Sequence, residues 1–236
     1  MSEIGRRKRD HIDIVVSGAA RHSAPAGFDH IRFMHNALPE VDYYVASDDI
    51  HEPAADAGAG FVGEAMFASA CFYKYFAIDW DQLVKNLLGN EVLAAHTVGA
   101  FLRAAAEVNP TGKQNSFAAH NHPDGIAVEL KEVPCSYANA FAAPVEREQR
   151  GMIEQSIAQL AQYMHDLDTG YGRPAQRFWF SPNLRYSLTV REKEKHVELA
   201  DSNEKSLDGL ITSVLKAVGF DYDQVKQAVA ASGVQE

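Results

Sequence analysis

The sequence predicts an α+β fold, in which several strands follow one another directly along the chain. Three observations support this prediction: an apolar strand pattern at residues 11–17, an aromatic-rich stretch at residues 66–78, and a helical pattern at residues 149–167. A doubly wound parallel sheet would need a regular alternation of strands and helices, which this order of elements does not provide.

The first part of the chain predicts two short extended segments separated by a helix. Residues 11–17 alternate and are rich in β-branched side chains, which predicts a strand, and the small residues at 19–27 predict a loop. Apolar residues recur at helical spacing over 28–38, so a helix is predicted there. Residues 41–47 are predicted to be extended, and 51–63 to form a long irregular loop.

The middle of the chain carries the clearest strand. Its run of aromatic residues over 66–78 suits a pleated and largely buried surface. Asp79 is a suitable N-cap for a helix over 80–88, which Gly89 would end. A second helix is predicted over 91–108.

The remaining pattern mixes strands with longer helices. An apolar face repeats at helical spacing in the longest of these helices, which is typical of a helix packed on a core. The predicted elements are strands at 115–120, 125–133 and 136–141, a helix at 149–167, a strand at 184–190, and helices at 207–218 and 221–231.

Charge limits the kinds of partner that the chain can bind. The formal charge of the 236 residues is −10, which argues against a generally basic nucleic-acid binder. Residues 1–39 hold six basic and four acidic side chains, so any contact with RNA must use a local surface. No apolar run reaches the roughly 18 residues of a membrane span, and Cys71 and Cys135 lack metal-like spacing. We therefore expect a cytoplasmic protein with reduced thiols.

Two groups of residues are candidates for a metal site, and the pattern disfavours both. The segment from His120 to Pro123 is similar to the H-x-H-P core of a JAMM or RadC-type zinc site, but residues 129–133 lack the serine and aspartate that such a site needs. Asp48 and Asp49 are adjacent, so on an extended segment their carboxylates point in opposite directions. A solvated acidic loop is the simpler interpretation, and we predict no catalytic residue, no metal and no cofactor.

Tyr43 and Tyr44 are candidates for contact with nucleic-acid bases. Aromatic side chains on a projecting segment can stack on bases or separate them, and stacking contributes about 1–3 kcal/mol per base. The alternative is that the two tyrosines pack half-buried on a strand.

Four segments, taken in order, resemble the CasC family, the repeated crRNA-binding backbone subunit of type I-E CRISPR Cascade complexes. The first is similar to the family's thumb, and the others to its G-A-x-x-x-G, P-x-G-K-Q and S-x-A-N-A-F segments. They are VDYYVASDD at 41–49, GAGFVGEAMFASACFYKY at 58–75, PTGKQNSFAAHN at 110–121 and SYANAF at 136–141.

The resemblance implies a single domain shaped like a right hand. Its palm would be a modified RRM-like, ferredoxin-like sheet, with a thumb inserted into it and a helical subdomain following it. Palm elements would occupy 11–27 and 64–150, the thumb-like insertion with its extended loop 28–63, and the helical C-terminal part 150–236.

The resemblance also implies a function without catalysis. Copies of the chain would polymerise along the crRNA, and target DNA would pair with the held guide in antiviral defence. The implied partners are crRNA, target DNA through the guide, further copies of the chain and the Cascade subunits CasA, CasB, CasD and CasE. A separate nuclease would cut the target.

Residues carried over from the family are predicted RNA contacts. Tyr43 and Tyr44 match the thumb positions of bulky wedges, and Ser17 with Gly18 matches the start of an S-G-R-M turn. Alanines replace the arginine and methionine of that turn, at positions 19 and 20, and either of two nearby arginines could compensate. The remaining predicted contacts are Arg21, Arg32, Lys74 and Lys113, of which the two lysines could equally be solvated.

The start of the chain departs from the family. CasC proteins usually begin with a long further region that carries the first palm strand and a basic RNA-contacting segment. A compact variant, a split gene or a truncated chain would each explain the difference. We expect either a separate chain that supplies the strand or a rearranged N-terminus, because an open sheet edge favours association. Two alternative functions follow: an assembly protein that binds partner subunits without RNA, and a metal hydrolase that uses His120 and His122.

Overall fold

The computed structural model has two layers of helices on a mixed sheet and describes residues 11–22, 31–33, 39–45, 62–108, 121–145, 151–192 and 195–231. Seven strands form the main sheet in the order β2-β4-β1-β5-β6-β9, and β3 pairs with β4 further along that strand. All pairs are antiparallel except β6 with β9, and β7 with β8 forms a separate hairpin. The strands are β1 His11–His22, β2 Ile31–Phe33, β3 Pro39–Val45, β4 Val62–Asp79, β5 Gly125–Lys131, β6 Gln176–Phe180, β7 Thr189–Glu192, β8 Lys195–Glu198 and β9 Ser202–Glu204.

Five α-helices and one 3-10 helix accompany the strands in the described part of the chain. The predicted cap of α1 is present, since Asp79 Oδ1 accepts a hydrogen bond from the Gln82 amide at 2.8 Å, and Asn90 Oδ1 likewise accepts one from the Leu93 amide at 3.0 Å at the start of α2. Such caps satisfy amides that have no partner within the helix. The helices are α1 Trp80–Asn86, α2 Glu91–Glu107, the 3-10 helix Ala138–Phe141, α3 Met152–Tyr171, α4 Leu207–Ala217 and α5 Tyr222–Ala231.

The central strands bury side chains on both faces, because successive residues of a strand point in opposite directions. Ile14 and Val128 belong to the core that β1 and β5 form with α2, α4 and α5. Val15, Ala127 and Trp179 belong to the opposite core, which α3 and the 3-10 helix cover. Helices therefore lie on both faces of the sheet, and each core is built from residues distant in the sequence.

One glycine is required by a close approach inside the second core. A Cβ atom on Gly125 would lie 2.2 Å from the Trp179 ring, far closer than two carbon atoms can approach. The indole is held in place because its Nε1 donates a hydrogen bond of 2.9 Å to the Tyr186 carbonyl. The start of β5 can therefore pass beneath the tryptophan only with a glycine at this position.

The α+β prediction is confirmed, and most of the predicted elements are present. The strand expected at 66–78 is β4, the two helices after it are α1 and α2, and the long helix and the closing helical pair are α3, α4 and α5. The strand expected at 125–133 is β5, and the extended segment at 41–47 is β3. The RRM-like, ferredoxin-like description of the palm stays a prediction.

Several local predictions are wrong because pairing with distant strands overrides local preference. Ala19–His22 continues β1 along β4 instead of forming a loop, and Ile31–Phe33, expected within a helix, pairs with β4 as β2. The strand expected at 136–141 is a turn followed by the 3-10 helix. The C-terminal part, expected to be helical, also supplies β6 and β9 to the main sheet.

Some predictions concern other parts of the chain. The strand at 115–120 and residues 51–61 of the loop lie outside the described residues, and the strand at 184–190 is present only in its last residues, where β7 begins. Among the helices that the structure describes, none has the length and apolarity to cross a membrane.

Candidate nucleic-acid interface

Three adjacent strands bring four of the predicted RNA contacts to one position on the sheet. Ser17 of β1 and Arg32 of β2 both lie opposite Tyr73 of β4. Gly18 and Lys74 occupy the neighbouring register positions on either side, and the Lys74 side chain lies on the face of β4 opposite to that of Tyr73. Since adjacent strands are about 4.8 Å apart, the backbone positions of Ser17 and Arg32 are separated by about 10 Å across β4.

The two predicted wedges lie at the far end of β4. Among the described residues, the pairing of β1 with β4 extends to the His22–Ala68 pair, and β3 pairs with β4 from Phe67 to Val62. The paired residues 40–45 and 62–67 are called the β-arm below. Within it Tyr43 lies opposite Glu64 and Tyr44 opposite Gly63.

Distances along β4 separate the predicted contacts into two groups. At about 3.3 Å per residue, the nine residue steps from Tyr73 to Glu64 place Tyr43 about 30 Å from the row that contains Ser17 and Arg32. Arg21 lies between the groups, opposite Ser69. The structure therefore joins part of the predicted site and separates the tyrosines from it.

Lys74 is the member of this group whose side-chain surroundings are described. Its side chain is half-buried. The next two residues of β4 pack against the two cores: Tyr75 against the α3-side core and Phe76 against the core of α2, α4 and α5. Burial lowers the pKa of the Lys74 ammonium group. No ion-pair partner of Lys74 is found among the described residues.

The predicted metal ligands are placed only in part. His122 is exposed, while His120, Asp48 and Asp49 lie outside the described residues, as does the predicted contact Lys113. Within the ranges that the structure describes, no group of three metal-ligating side chains comes together.

A buried ionic cluster lies within the core on the α3 side of the same sheet. It consists of Asp13 of β1, Glu129 and Lys131 of β5, Arg177 of β6 and Asp168 of α3. The side chains of Asp13 and Glu129 are 0% exposed, Arg177 is 2% exposed and Lys131 is 11% exposed. Charged groups are rarely buried so completely unless they are paired, and these five contact one another.

Glu129 lies at the centre of the cluster. Arg177 Nη2 approaches Glu129 Oε1 at 2.5 Å, and Lys131 Nζ approaches Glu129 Oε2 at 2.5 Å. The Tyr137 hydroxyl donates to both carboxylate oxygens, at 3.0 and 2.8 Å. Burial disfavours the charged form of Glu129, but the two cations and these hydrogen bonds outweigh it and lower the pKa of the carboxyl.

The cluster fixes the segment that precedes the 3-10 helix. The Cys135 amide donates to Asp13 Oδ2 at 2.8 Å, and the Tyr137 amide donates to the Tyr73 hydroxyl at 2.9 Å. Burial raises the pKa of Tyr73 to about 12, so its hydroxyl stays neutral and can accept this bond. Tyr137 is thereby held at its amide and at its hydroxyl, which explains why 136–141 is not a strand.

Two acidic residues within apolar strands indicate this cluster in the sequence, although neither was among the predicted site residues. Asp13 stands between Ile12 and Ile14, and Glu129 stands between Val128 and Leu130. An acidic residue inside an otherwise apolar strand that is buried on both faces requires an opposite charge nearby. The partner Arg177 is 48 residues from Glu129 along the chain, so periodicity alone could not identify it.

A family model and two solved structures relate the chain to CRISPR proteins. The family model described as CT1975-like protein matches residues 17–213. A chain of a structure titled CRISPR RNA-guided surveillance complex is similar in fold, with a TM-score of 0.69 and 20% identity, over 88% of this chain and 99% of that chain. A chain of a CRISPR RNA-guided surveillance complex, pre-nicking, has a TM-score of 0.65 and 26% identity over 80% of this chain. This chain spans half of the length of that second chain.

The curated relatives share only short segments with this chain. An isopentenyl-diphosphate delta-isomerase from Xanthobacter autotrophicus is 60% identical over 42 residues, which are 17% of this chain and 12% of the enzyme. The corresponding enzyme from Rickettsia akari is 46% identical over 37 residues, or 16% of this chain and 11% of the enzyme. The chain thus spans about a tenth of the length of these relatives, and the similarity is local.

Proposed function

Because the chain belongs to the CT1975-like protein family, we propose that it is a non-catalytic subunit of a CRISPR RNA-guided surveillance complex and that it holds the guide RNA. The solved structures that it resembles are chains of such complexes, and one of them is matched over 99% of its length. The proposal includes no chemical step by this chain.

The observation that carries the RNA-binding part is the convergence of predicted contacts on neighbouring strands. Ser17 and Arg32 lie opposite Tyr73 in one row of the sheet, and Gly18 and Lys74 lie in the rows on either side, with the Lys74 side chain on the other face of β4 from Tyr73. Hydroxyl, backbone and cationic groups are the usual contacts of nucleic-acid backbones. A site of this kind holds the sugar–phosphate chain and leaves the base edges free, so that base pairing with the guide reads the target sequence.

The β-arm provides a second contact at a distance from the first. Tyr43 and Tyr44 lie on it about 30 Å from the Ser17–Arg32 row, as measured along β4. In the proposed complex the row contacts the RNA backbone, and the arm reaches over the guide with its two aromatic residues. Arg21 lies along β1 between them, and Lys113 would add a further phosphate contact.

The proposal places the chain in an assembly. Several copies would follow one crRNA, with CasA, CasB, CasD and CasE as neighbours, a separate chain supplying any further palm strand, and target DNA joining through the guide. Such a complex acts in the cytoplasm, and strand cleavage belongs to a recruited nuclease. The charge of −10 makes a local RNA surface necessary, because a protein with this net charge repels RNA elsewhere on its surface.

The test is co-expression of the chain with a matching crRNA and candidate Cascade subunits, followed by measurement of the particle's mass and RNA content. We expect a large particle with protected RNA and several copies of this chain per guide. A small particle without RNA would contradict the RNA-binding role.

A second candidate is an assembly protein that binds partner subunits but not RNA. The acidic net charge and the alanines at positions 19 and 20, where the resembled turn has arginine and methionine, favour it. Removing RNA with ribonuclease separates the two: subunit contacts that persist unchanged in purified components without RNA favour the assembly role.

A further inference from the structure

The charges of the buried ionic cluster do not balance. Among the described residues, three carboxylates, those of Asp13, Glu129 and Asp168, contact two cations, Lys131 and Arg177. With every group in its ordinary state at neutral pH, the cluster has a net charge of −1. An uncompensated charge in a buried site is costly, and proteins commonly avoid it by changing a protonation state.

The hydrogen bonds show which carboxylate has the weakest support. Both Glu129 oxygens accept bonds, and Arg177 and Lys131 contact that group directly. Asp168 Oδ2 accepts from Arg177 Nη2 at 3.0 Å, and its side chain is 19% exposed and so reaches water. Asp13 is 0% exposed, and among the described residues its Oδ1 has no hydrogen-bond partner.

The other oxygen of Asp13 shares its partners. Asp13 Oδ2 accepts from the Cys135 amide at 2.8 Å and lies 3.2 Å from Lys131 Nζ, which is closer to Glu129 at 2.5 Å. The cation that contacts Asp13 is therefore Lys131, which lies closer to Glu129 than to Asp13.

We propose that the folded protein holds one proton on the Asp13 carboxyl at neutral pH, which neutralises the buried ionic cluster and couples folding to proton uptake. This inference concerns the fold and does not rest on the RNA-binding proposal.

The groups that face Asp13 agree with this assignment. Burial raises the pKa of the Asp13 carboxyl, Lys131 and the Cys135 amide oppose the increase, and Glu129 adds to it. From β4, the Tyr75 phenol is within hydrogen-bonding reach of the Asp13 carboxyl group; burial raises the pKa of that phenol, and the Asp13 carboxylate adds to the increase. The Asp13 carboxylate also contributes to the raised pKa of Tyr73 on β4. Lys131 is thus the one cation in this set.

The same reasoning does not place a second proton on Asp168. Although burial also raises the pKa of the Asp168 carboxyl, Arg177 opposes that increase at a hydrogen-bonded distance of 3.0 Å. One proton makes the cluster neutral, and a second would leave it with a charge of +1.

The proton has a defined effect on stability. The unfolded chain releases it near the ordinary pKa of 3.8, whereas the folded chain keeps it to higher pH. The native state therefore binds more protons between these two pKa values, and stability falls as pH rises through that window. One such group makes the unfolding equilibrium constant rise about tenfold per pH unit until the folded pKa is passed.

Urea unfolding of the full chain at pH steps from about 5 to 8 tests the assignment. Asp13→Asn keeps the shape of the side chain and cannot ionise. In this variant we expect the unfolding equilibrium constant to rise less steeply with pH than in the wild type, by up to about tenfold per pH unit. Asp81→Asn, at an exposed position on α1, is the matched control and should keep the wild-type dependence. An unchanged dependence in Asp13→Asn, or its loss in Asp168→Asn instead, would overturn the assignment.

Infrared spectroscopy of the wild-type protein at neutral pH tests the proton directly and does not depend on a variant that folds. We expect the carbonyl stretch of a protonated carboxyl group that persists in Asp168→Asn. If the folded wild-type protein lacks such a band at neutral pH, Asp13 is ionised and the proposal is wrong.

Discussion

At the scale of single residues, close packing and buried hydrogen bonds determine which positions tolerate change. Gly125 lies so near the Trp179 ring that a Cβ atom would meet it at 2.2 Å. The ring belongs to a core and is fixed by its hydrogen bond to Tyr186, so it cannot move away without disturbing both contacts.

Replacement of Gly125 by alanine is expected to destabilise the protein by about 1–3 kcal/mol, the usual effect of overpacking. Gly170→Ala is the matched control, because a Cβ atom there meets nothing within 4 Å and alanine favours the helix. Urea unfolding of both variants checks this, and equal stability of the two would show that the Trp179 ring can be displaced.

The Tyr137 hydroxyl donates to a buried carboxylate, so its removal is expected to be costly. Tyr137→Phe keeps the ring but removes the hydrogen bond that the hydroxyl shares between the two Glu129 oxygens, and we expect a loss of about 1–3 kcal/mol in the free energy of unfolding. Tyr171→Phe, at an exposed position, should change this free energy little. A loss of the same size in both variants would mean that the Glu129 contact contributes nothing specific.

At the scale of elements, the buried ionic cluster joins β1, β5, β6 and α3. Arg177 contacts Glu129 on the neighbouring strand and Asp168 on the helix, and its backbone amide donates to Asp201 at 2.7 Å. One side chain therefore connects two strands and a helix that are distant in the sequence.

Replacement of Arg177 by methionine is expected to cost about 3–5 kcal/mol, because it leaves a buried carboxylate without its main partner. The control is Arg103→Met, which removes exposed ion pairs with Glu107 and Asp208 that contribute about 1 kcal/mol or less. Thermal or urea unfolding compares them, and similar losses would argue against a special role of burial.

Elements with a strong local signal were predictable from the sequence, and elements defined by pairing were not. The aromatic run of β4 and the cap of α1 depend on neighbouring residues, so the pattern located them. The short strand β2 exists because it pairs with β4, and its own sequence favoured a helix. Likewise the cluster around Glu129 needs the strand order β1-β5-β6, which periodicity does not specify.

At the scale of the whole molecule, a chain with a net charge of −10 can hold RNA only where a local positive group is left unpaired. Arg177 and Lys131 form ion pairs with buried carboxylates, and Arg103 pairs with Glu107 and Asp208. Lys74 differs from them, because in the described part of the chain it has no ion-pair partner. It also lies in the register position next to the Ser17–Arg32 row.

Replacement of Lys74 by alanine is therefore expected to weaken binding of the guide equally for different guide sequences, since a phosphate contact carries no sequence information. For the complex assembled by co-expression, the slope of log binding constant against log salt concentration should fall by about 0.7, the value for one contact to a single strand. Lys226→Ala is the control, because that lysine lies on α5 and pairs with Asp223. An unchanged slope in Lys74→Ala would place the phosphate contacts elsewhere on the sheet, and a changed slope in Lys226→Ala would move the RNA path to α5.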